Sequence, residues 1–403
     1  MNILFPSINK VDPLAQEGIY DVLLKQFLDN GHTVYIIKPV ERREKRKASV
    51  RSVQNLTIIE VNTLNLFNTN LLEKGLSNVF ISHSYYRAIK EFISGVKIDL
   101  ILSATPPVML SPLIKQLRKD YPEAKTYLML KDIFPQNAVD IEMIKKGGLL
   151  YKWFRKQERE LYVLSDHIGC MSLGNKDFIL KHNDYLAPEN VEILPNATII
   201  REPTPISLEG KREIRTKYGI PEDAVLFLYG GNFGKPQGID FIIKVLEDNI
   251  NKSHTYFFFV GKGTEFHRVE NFIRSKKPRN ISAHSFLPKQ EYDRLMQVAD
   301  VGLIFLDYRF TIPNFPSRLL SIIGNKQPVL MASDPNTDMP QIIRENDFGY
   351  TVLSNDVAGF TKIVDHIISH PEELRTKGKN GYEFLKANYD VRDAYKTIMK
   401  HFE

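Results

Sequence analysis

Short apolar runs alternate with longer amphipathic segments along most of the chain. Strands of a parallel sheet are buried on both faces, so they read as continuous apolar runs separated by the helices that cover the sheet. The runs are also rich in β-branched and aromatic residues, which favour strands. They lie at 2–6, 33–37, 56–61, 99–103, 126–130, 167–171, 191–194, 225–229, 256–260, 281–284, 301–306, 328–331 and 350–352. The pattern predicts an α/β protein with parallel sheets.

The amphipathic segments have the length and spacing of helices. They lie at 16–30, 79–94, 109–120, 148–165, 237–248, 263–275, 289–298, 316–324, 339–345, 357–369 and 371–388. One stretch breaks the alternation: residues 195–210 hold proline and glycine without a periodic pattern, as an inter-domain connector does. We therefore expect two doubly wound domains, at 1–200 and 205–385. The last segment, 386–403, is expected to be helical, and it is open whether it packs on the second domain or crosses back to the first.

Composition narrows the class of protein. The length of 403 residues suits two domains at the usual size of roughly 150 residues. The net charge of +6 is spread along the chain, so we expect no nucleic-acid partner. The ten histidines show no metal-ligand spacing, and Asp-x-Asp, a common sign of a metal-bound nucleotide sugar, is absent. We expect neither a metal nor an organic cofactor.

Cysteine usage and hydropathy bear on the compartment. The single cysteine, Cys170, lies in an apolar run and is expected to be a buried hydrophobic residue. One cysteine cannot form a disulfide within the chain. The sequence shows no signal peptide and no run of about 18 apolar residues, so we expect a cytosolic protein.

Two segments are consistent with a peripheral contact between the protein and a membrane. In residues 38–51 basic residues outnumber the acidic Glu41 and Glu44, and such a run either forms a solvated loop or touches anionic lipid. Residues 148–154 are amphipathic and basic and include the only tryptophan, Trp153. This segment either lies on a membrane or packs against its own domain.

The segment 228–238 favours phosphate binding. It joins an apolar run to an amphipathic segment through glycines at 230, 231, 234 and 238. Glycine lets the backbone come close to a bulky anion, N–H groups and a helix start add partial positive charge, and Lys235 adds a full one. The loop is neither a Walker A motif nor a good GxGxxG. Taken by itself, it is equally consistent with an ordinary tight turn.

A second candidate anion site lies in 312–329. Pro316 suits the first turn of a helix, and Asn314 is a candidate cap. Ser317 and Arg318 would then flank the helix start, where Arg318 could make a bidentate contact with phosphate. The alternative is a capped helix with a surface arginine.

Weaker candidates follow other predicted strands. Gly261 and Gly263 end one strand in a turn that suits backbone approach by a base or ribose, or that is a plain strand–helix turn. Residues 103–107 form a rigid turn consistent with a cleft wall. Asp132 follows another strand and could act as a general base, orient an acceptor hydroxyl or cap a helix.

Taken together and in order, these segments resemble the family-4 retaining glycosyltransferases of the GT-B fold, over nearly the whole chain. Three of them, at 103–107, 131–135 and 231–238, resemble the branch that adds N-acetylfucosamine and similar amino sugars during O-antigen and capsule assembly. The matching segments are 31–34 with "GHxV", 103–107 with "SPP", 131–135 with "RDLWP", 195–196 with "PN", 231–238 with "GNxGxxQG", 261–263 with "GxG", 299–301 with "ADV" and 316–318 with "PSK".

The resemblance implies two Rossmann-like domains that face a central cleft, the first binding the acceptor and the second the nucleotide sugar. It implies metal-independent, retaining transfer from a nucleotide diphosphate donor, with a UDP-linked amino sugar expected. The implied acceptor is a hydroxyl of a saccharide linked to undecaprenyl diphosphate, in surface polysaccharide synthesis. Such an enzyme would work in the cytoplasm, peripheral on the inner face of the plasma membrane.

The candidate site residues come from the motifs and the resemblance together. Catalytic roles are expected for Asp132, Lys235 and Arg318. Nucleotide-sugar contacts are expected from Gly231, Asn232, Gly234, Gln237, Gly261, Gly263, Leu287, Asn314, Pro316, Ser317 and Ser321.

The chain also departs from the family pattern. Asn232 and Gln237 stand where many members have an arginine and a lysine on the diphosphate, and Pro313 and Ser321 stand where the family has paired glutamates. Either Asn314, Ser321 and backbone groups replace the glutamates, or the chain is a lapsed nucleotide-sugar-binding subunit. A sugar-nucleotide 2-epimerase of the same fold is a further alternative.

Overall fold

The computed structural model describes residues 1–16, 18–66 and 71–402, with the backbone alone for 71–79. Two predicted segments therefore lie partly outside the described residues, since 16–30 includes Glu17 and 386–403 includes Glu403. The chain forms two compact units. Unit 1 consists of Met1–Ile199 and Val391–Glu403, and unit 2 consists of Ile200–Asp390.

Unit 1 is built on an eight-stranded sheet in the order β3-β4-β2-β1-β5-β6-β7-β8. The strands are β1 (Asn2–Pro6), β2 (Thr33–Glu41), β3 (Val50–Val53), β4 (Leu56–Thr63), β5 (Leu100–Thr105), β6 (Lys125–Leu130), β7 (His167–Cys170) and β8 (Val191–Ile193). Every neighbouring pair is parallel except β3 and β4. The helices are α1 (Ile19–Asp29), α2 (Leu71–Phe92), α3 (Ser111–Asp120), α4 (Gln136–Asp140), α5 (Leu149–Val163), α6 (Leu173–His182) and α15 (Val391–Met399).

The C-terminal helix α15 packs on α1 in unit 1. The ring of Tyr395 meets Phe27 edge to face at 5.0 Å, and its hydroxyl lies 2.9 Å from Nε2 of His32. The Val391 N–H donates to the Thr198 carbonyl at 3.0 Å, where the chain re-enters the unit. Ile398 is fully buried in the unit 1 core. The chain end therefore supplies part of the core of the domain that its beginning forms.

Unit 2 is built on a six-stranded, all-parallel sheet in the order β11-β10-β9-β12-β13-β14. The strands are β9 (Val225–Gly230), β10 (Thr255–Val260), β11 (Ile281–His284), β12 (Val301–Phe305), β13 (Val329–Ser333) and β14 (Gly349–Leu353). The helices are α7 (Leu208–Lys217), α8 (Ile239–Asp248), α9 (Phe266–Lys276), α10 (Lys289–Val298), α11 (Arg318–Gly324), α12 (Met339–Glu345), α13 (Val357–Ser369) and α14 (Glu373–Asn388).

Strand order places a crevice in unit 2. The chain runs outward from β9 through β10 to β11, then returns to the other side of β9 and runs outward from β12 to β14. The connections after β9 and β12 therefore leave the sheet in opposite directions, and ligands of open α/β sheets bind at the carboxyl ends beside such a reversal. Both candidate anion-binding segments follow these two strands.

The predicted α/β architecture with two domains on parallel sheets is confirmed. Sequence patterning missed β3, because all of its side chains are exposed and no apolar run marks it. The predicted connector 195–210 is too long, since α7 begins at Leu208 and the Ser207 side chain caps it. That helix escaped notice because it buries only Ile214 and Arg215.

The helices of the described residues bear on whether the chain could cross a membrane. Within residues 1–16, 18–66 and 71–402, no helix combines the length and the apolar character that crossing a bilayer requires.

The docking of α15 predicts the effect of a mutation. Ile398→Ala should lower the free energy of unfolding by about 2–5 kcal/mol, because it removes a fully buried side chain and leaves a cavity. Lys396→Ala on the same helix removes only an exposed lysine paired with Asp393, so its effect should stay within about 0.5 kcal/mol. Urea unfolding measures both, and equal effects would contradict the docking.

Candidate functional site

The loop after β9 is held against the loop after β10 by backbone hydrogen bonds. The Gly231 N–H donates to the Val260 carbonyl at 2.9 Å, and the Phe233 N–H donates to the Lys262 carbonyl at 2.8 Å. Phe233 is fully buried, so its ring anchors the loop from below. The two loops form one rigid surface at the carboxyl edge of the sheet.

Glycine is required where these loops touch. Gly261 has a φ of 150°, and a Cβ atom there would overlap the Gly231 carbonyl. A Cβ atom at Gly263 would overlap the Phe233 backbone. The space that these glycines leave is thus filled by the neighbouring loop, which explains the glycines without any ligand.

Gln237 holds the turn of the first loop. Its side chain is largely buried, and Oε1 accepts hydrogen bonds from the Gly234 N–H at 3.0 Å and from Asn232 Nδ2 at 3.4 Å. The Tyr229 hydroxyl donates to the Asn232 carbonyl at 2.7 Å. Gln237 is therefore an amide that fixes the shape of the loop.

The loop after β9 has hydrogen-bond donors that could bind a ligand. Lys235 is exposed and has no ion-pair partner within the described part of the chain. The amide N–H groups of Asn232 and Lys235 find no acceptor among the described residues either. The helix α8 then begins after Gly238, whose left-handed conformation (φ 62°, ψ 56°) turns the chain into the helix. One charged donor and two backbone donors thus belong to one loop.

The segment after β12 packs against the same loop. The Asp307 N–H donates to the Pro236 carbonyl at 2.9 Å, and the Cα atom of Asp307 lies close to Gly238. The Asp307 carboxylate holds Arg309 through two hydrogen bonds of 2.9 Å each. The connection that follows β12 is thereby held against the start of α8.

Arg318 is the central cation of the arrangement. Its guanidinium lies over the ring of Tyr229, with Cζ 4.5 Å from the ring centroid. It also lies on the face of Gly231, where a Cβ atom would come within 2.8 Å of Cζ. The Nη1 atom is buried and has no hydrogen-bond partner among the described residues. A buried donor without a partner is costly unless a ligand completes it.

Tyr292 of α10 closes the other side of this contact. Its hydroxyl lies against Gly230, where a Cβ atom would overlap it. Burial raises the pKa of Tyr292 to about 12, and the nearby Arg318 opposes that rise. Sequence reasoning missed Tyr292 because it lies far along the chain on a helix with no motif. It also missed Tyr229, which reads as an ordinary strand residue.

The other candidate residues of segment 312–329 make fewer contacts with the loop after β9 than Arg318 does. Asn314 was expected to cap the helix, and this is wrong: its side chain donates to the Ile312 carbonyl at 3.3 Å, and α11 begins after Ser317. The helix therefore begins at Arg318, two residues after the predicted start at Pro316. Pro316 is half-buried, while Ser317 and Ser321 are exposed.

Leu287 lies in the loop after β11. It is half-buried, and its neighbour Phe286 is exposed beneath the ammonium group of Lys262 at 4.9 Å from the ring centroid. This contact links the loop after β11 with the loop after β10. The structure thus gathers the loops after β9, β10 and β11 with Arg318.

Asp132 belongs to unit 1, in the loop after β6. Asn137 donates to its carboxylate at 2.6 Å, and burial raises the pKa of Asp132 to about 6. The cap of α4 is Pro135, so the alternative of a capping role is wrong. The adjacent Lys131 donates to the Leu194 and Pro195 carbonyls, and burial lowers its pKa to about 7.

No metal-binding cluster of three or more histidine, cysteine, aspartate or glutamate side chains occurs in the described ranges of the chain.

Comparison with known proteins assigns unit 2. Residues 210–384 match the model of the family described as glycosyl transferases group 1. This stretch is a glycosyltransferase group 1 domain. It contains β9–β14, both candidate anion-binding segments and Arg318.

Relatives of the glycosyltransferase domain extend the likeness to most of the chain. A probable glycosyltransferase of Pseudomonas aeruginosa, WbjE, is 23% identical over 79% of this chain and 77% of its own length. A putative colanic acid biosynthesis glycosyl transferase of Escherichia coli K12, WcaI, is 23% identical over 61% of this chain and 60% of its own. The structure of Anabaena Alr3699/HepE in complex with UDP matches with a TM-score of 0.71 at 13% identity, over 100% of this chain and 99% of that one. The predicted GT-B fold is confirmed.

The packing of Arg318 on Gly231 predicts a mutational effect. Gly231→Ala should lower the free energy of unfolding of the glycosyltransferase domain by about 1–3 kcal/mol, because φ is 153° and the new methyl group would displace the guanidinium. Gly324→Ala is the control, since its methyl group would meet Leu385 at an ordinary 3.6 Å within a helix. That variant should be neutral or stabilised by up to about 1 kcal/mol. Denaturant unfolding measures both, and equal stabilities would contradict the proposed contact.

Proposed function

We propose that this chain is a retaining, metal-independent glycosyltransferase. It transfers a sugar from a nucleotide diphosphate donor, UDP-linked and carrying an amino sugar, to a hydroxyl of a lipid-linked saccharide during surface polysaccharide synthesis. Unit 2 binds the donor and unit 1 the acceptor. The enzyme works in the cytoplasm, at the inner face of the plasma membrane.

One observation carries the proposal: the buried Nη1 of Arg318 has no hydrogen-bond partner among the described residues and lies beside the loop that carries Lys235. Two cations and two open amide N–H groups match a diphosphate, whose oxygens accept several hydrogen bonds at once. The family match of residues 210–384 and the UDP complex of the similarly folded HepE support the same ligand.

These groups would act where charge develops. When the bond from the anomeric carbon to the diphosphate oxygen breaks, negative charge grows on that diphosphate, and fixed donors stabilise it without reorganisation. Lys235 and Arg318 take the role that a divalent metal has in other glycosyltransferases. The acceptor hydroxyl attacks from the face that the diphosphate leaves, and a departing phosphate oxygen takes its proton. Before the attack, Asp132 in its ionised form accepts a hydrogen bond from that hydroxyl and orients it, and the proton moves from this hydrogen bond to the phosphate oxygen as the donor bond breaks.

Donor and acceptor classes rest on relatives and on the sequence resemblance. The name of WcaI places it in colanic acid biosynthesis, and WbjE is described as a probable glycosyltransferase. The amino-sugar donor and the undecaprenyl-linked acceptor are proposed because the motifs at 131–135 and 231–238 resemble those of the amino-sugar transferase branch.

A second function is favoured by the missing glutamates. Pro313 is buried at the position of the first and cannot contact a sugar hydroxyl through a carboxylate, and Ser321 at the second is exposed. In the active enzyme, Asn314 and Ser321 would replace them. In a lapsed nucleotide-sugar-binding subunit, no residue would replace the two glutamates.

Removing either cation should impair transfer. Lys235→Ala and Arg318→Ala should each lower kcat/KM about 100-fold or more, the size typical of losing one charge-stabilising donor. Lys244→Ala removes an exposed lysine of α8 outside the site and should leave the rate unchanged. Release of UDP from donor in the presence of acceptor measures all three. Wild-type rates in the first two variants would refute the assignment.

Thermal unfolding with nucleotide sugars separates the two functions. A ligand that binds only the folded state raises the apparent stability with the logarithm of its concentration. The enzyme predicts stabilisation by its donor together with UDP release when acceptor is added. Stabilisation with no release on any lipid-linked saccharide would favour the lapsed subunit. No stabilisation by any nucleotide or nucleotide sugar would reject both functions.

The raised pKa of Asp132 predicts a pH dependence. Because this pKa is about 6, kcat/KM should fall about tenfold per pH unit below pH 6, as the ionised form disappears. Asp132→Asn should lose this limb together with most of the activity.

Stability should change in the opposite direction. Since burial disfavours the ionised carboxylate, Asp132 destabilises the folded state above pH 6, and this cost vanishes as the pH falls towards 4. Asp132→Asn should therefore raise the free energy of unfolding at pH 8 by up to about 3 kcal/mol and change it little at pH 4. Asp177→Asn, an exposed site on α6, is the control. A variant that is equally destabilised at both pH values would contradict the burial argument.

A further inference from the structure

Large apolar side chains are exposed at the start of α5 in unit 1. The exposed fraction of the side chains is 89% at Leu149, 54% at Leu150 and 37% at Trp153, and Met143 in the preceding turn is 59% exposed. Such a group within one short stretch of surface differs from scattered exposed apolar residues, which need no explanation.

The fold makes little use of the leucines of this group, and Trp153 meets the ring of Phe154 at 4.8 Å between centroids. The helix packs on unit 1 through its opposite face, where Phe154, Glu158 and Leu161 are buried. Phe154 meets Phe134 edge to face at 4.7 Å and packs against Val108. Sequence reasoning left open whether 148–154 packs on its own domain or lies on a membrane. Phe154 packs on unit 1, Leu149 stays exposed, and Trp153 lies between the two, in contact with Phe154 on one side and 37% exposed on the other.

Unpaired lysines surround the apolar group. Lys145, Lys146, Lys152 and Lys156 are exposed, and none has an ion-pair partner among the described residues. The one acidic residue between 142 and 156 is Glu142. Leu149, Lys152, Trp153 and Lys156 recur at the helical spacing that places them on one face. Apolar and cationic side chains are thus interleaved on a single surface.

The other basic segment is different. In 38–51, Arg43 pairs with Glu41, Arg46 with Glu60 and Arg51 with Asp12. Lys38 also lies 3.7 Å from Glu60. Most of the positive charge of that segment is neutralised within unit 1, and it has no comparable group of exposed apolar side chains. The start of α5 is therefore the stronger candidate for contact with an anionic surface.

We propose that this surface, called here the α5 tip, docks on a lipid bilayer containing anionic headgroups. The α5 tip consists of Met143, Lys145, Lys146, Leu149, Leu150, Lys152, Trp153 and Lys156. Its leucines, Trp153 and Met143 enter the boundary between headgroups and acyl chains, and its lysines lie at the level of the phosphates. Charge complementarity selects this occupant, because four lysines around an apolar centre match an anionic lipid surface.

The docking has a consequence for the proposed function. Phe134, on which α5 packs, follows Asp132 by two residues, so the tip and the candidate acceptor-orienting carboxylate belong to the same edge of unit 1. A lipid-linked acceptor would then present its saccharide near the surface on which the enzyme sits. The docking itself does not depend on sugar transfer and is measured without substrates.

Co-sedimentation with lipid vesicles tests the docking. The full chain should bind vesicles rich in phosphatidylglycerol and bind weakly to pure phosphatidylcholine. Leu149→Ser with Trp153→Ser should weaken binding about tenfold or more for each side chain. Replacing Lys145, Lys146, Lys152 and Lys156 by glutamine should weaken it about fivefold per lysine at low salt.

Matched controls separate the tip from general surface effects. Val163→Ser removes an apolar side chain that is 63% exposed at the other end of α5, and it should leave binding unchanged. Replacing Arg42, Arg43, Arg46 and Lys47 by glutamine should reduce binding far less than the four lysine changes. Thermal unfolding confirms that the serine variants are folded, as expected for exposed positions.

Several outcomes would overturn the proposal. The first is no binding to any vesicle, and the second is equal binding by the wild type and the Leu149→Ser, Trp153→Ser variant. A monomer–dimer equilibrium abolished by the same serine changes, with no vesicle binding, would instead assign the tip to a second copy of this chain. Unchanged transfer to a soluble acceptor in a variant that no longer binds vesicles would leave the proposed function intact.

Discussion

The candidate binding site of unit 2 depends on the packing of Arg318 against Gly231. Arg318 lies on the Cα face of Gly231 and on the ring of Tyr229, and this contact joins the connection after β12 to the connection after β9. These two connections leave the sheet at the point where its strand order reverses. A side chain at position 231 would separate them. The cation therefore lies where it does because the backbone next to it carries no side chain.

The same contact explains how the guanidinium of Arg318 can stay available to bind an anionic ligand. An arginine paired with a carboxylate would be neutralised, as Arg309 is by Asp307. Arg318 instead rests on the aromatic face of Tyr229, which attracts a cation without neutralising its charge, and Nη1 keeps its donors. The burial of Nη1, which has no hydrogen-bond partner in the described part of the chain, costs stability in the free protein. A ligand that completes the hydrogen bonds recovers that cost, which is the physical basis of a preorganised anion site.

Unit 1 uses buried polar groups in another way. Asp132 and Lys131 are adjacent at the end of β6, and burial brings the pKa of both towards neutrality from opposite sides. Neither has an opposite charge as its direct partner: Asn137 holds the carboxylate, and two backbone carbonyls hold the ammonium group. Groups poised in this way are typical of sites where a proton or a hydroxyl must be positioned. On the same edge, α5 packs inward through Phe154 and presents the α5 tip outward.

Sequence patterning by itself determined the elements and the candidate loops. Continuous apolar runs marked the buried strands, and the glycines of 230–238 and the Pro-Ser-Arg of 316–318 marked the segments that the structure brings together. It did not reveal β3, α4, α6 or α7, because patterning detects burial and these elements bury few side chains. It also could not show that Gln237 shapes its loop, that Tyr292 borders Arg318, or that the cap at Asn314 was wrong. Each of these rests on contacts between residues far apart along the chain, or on a side chain choosing one partner among several. Only the tertiary structure decides them, because a single sequence specifies which groups can form hydrogen bonds but not which of them meet.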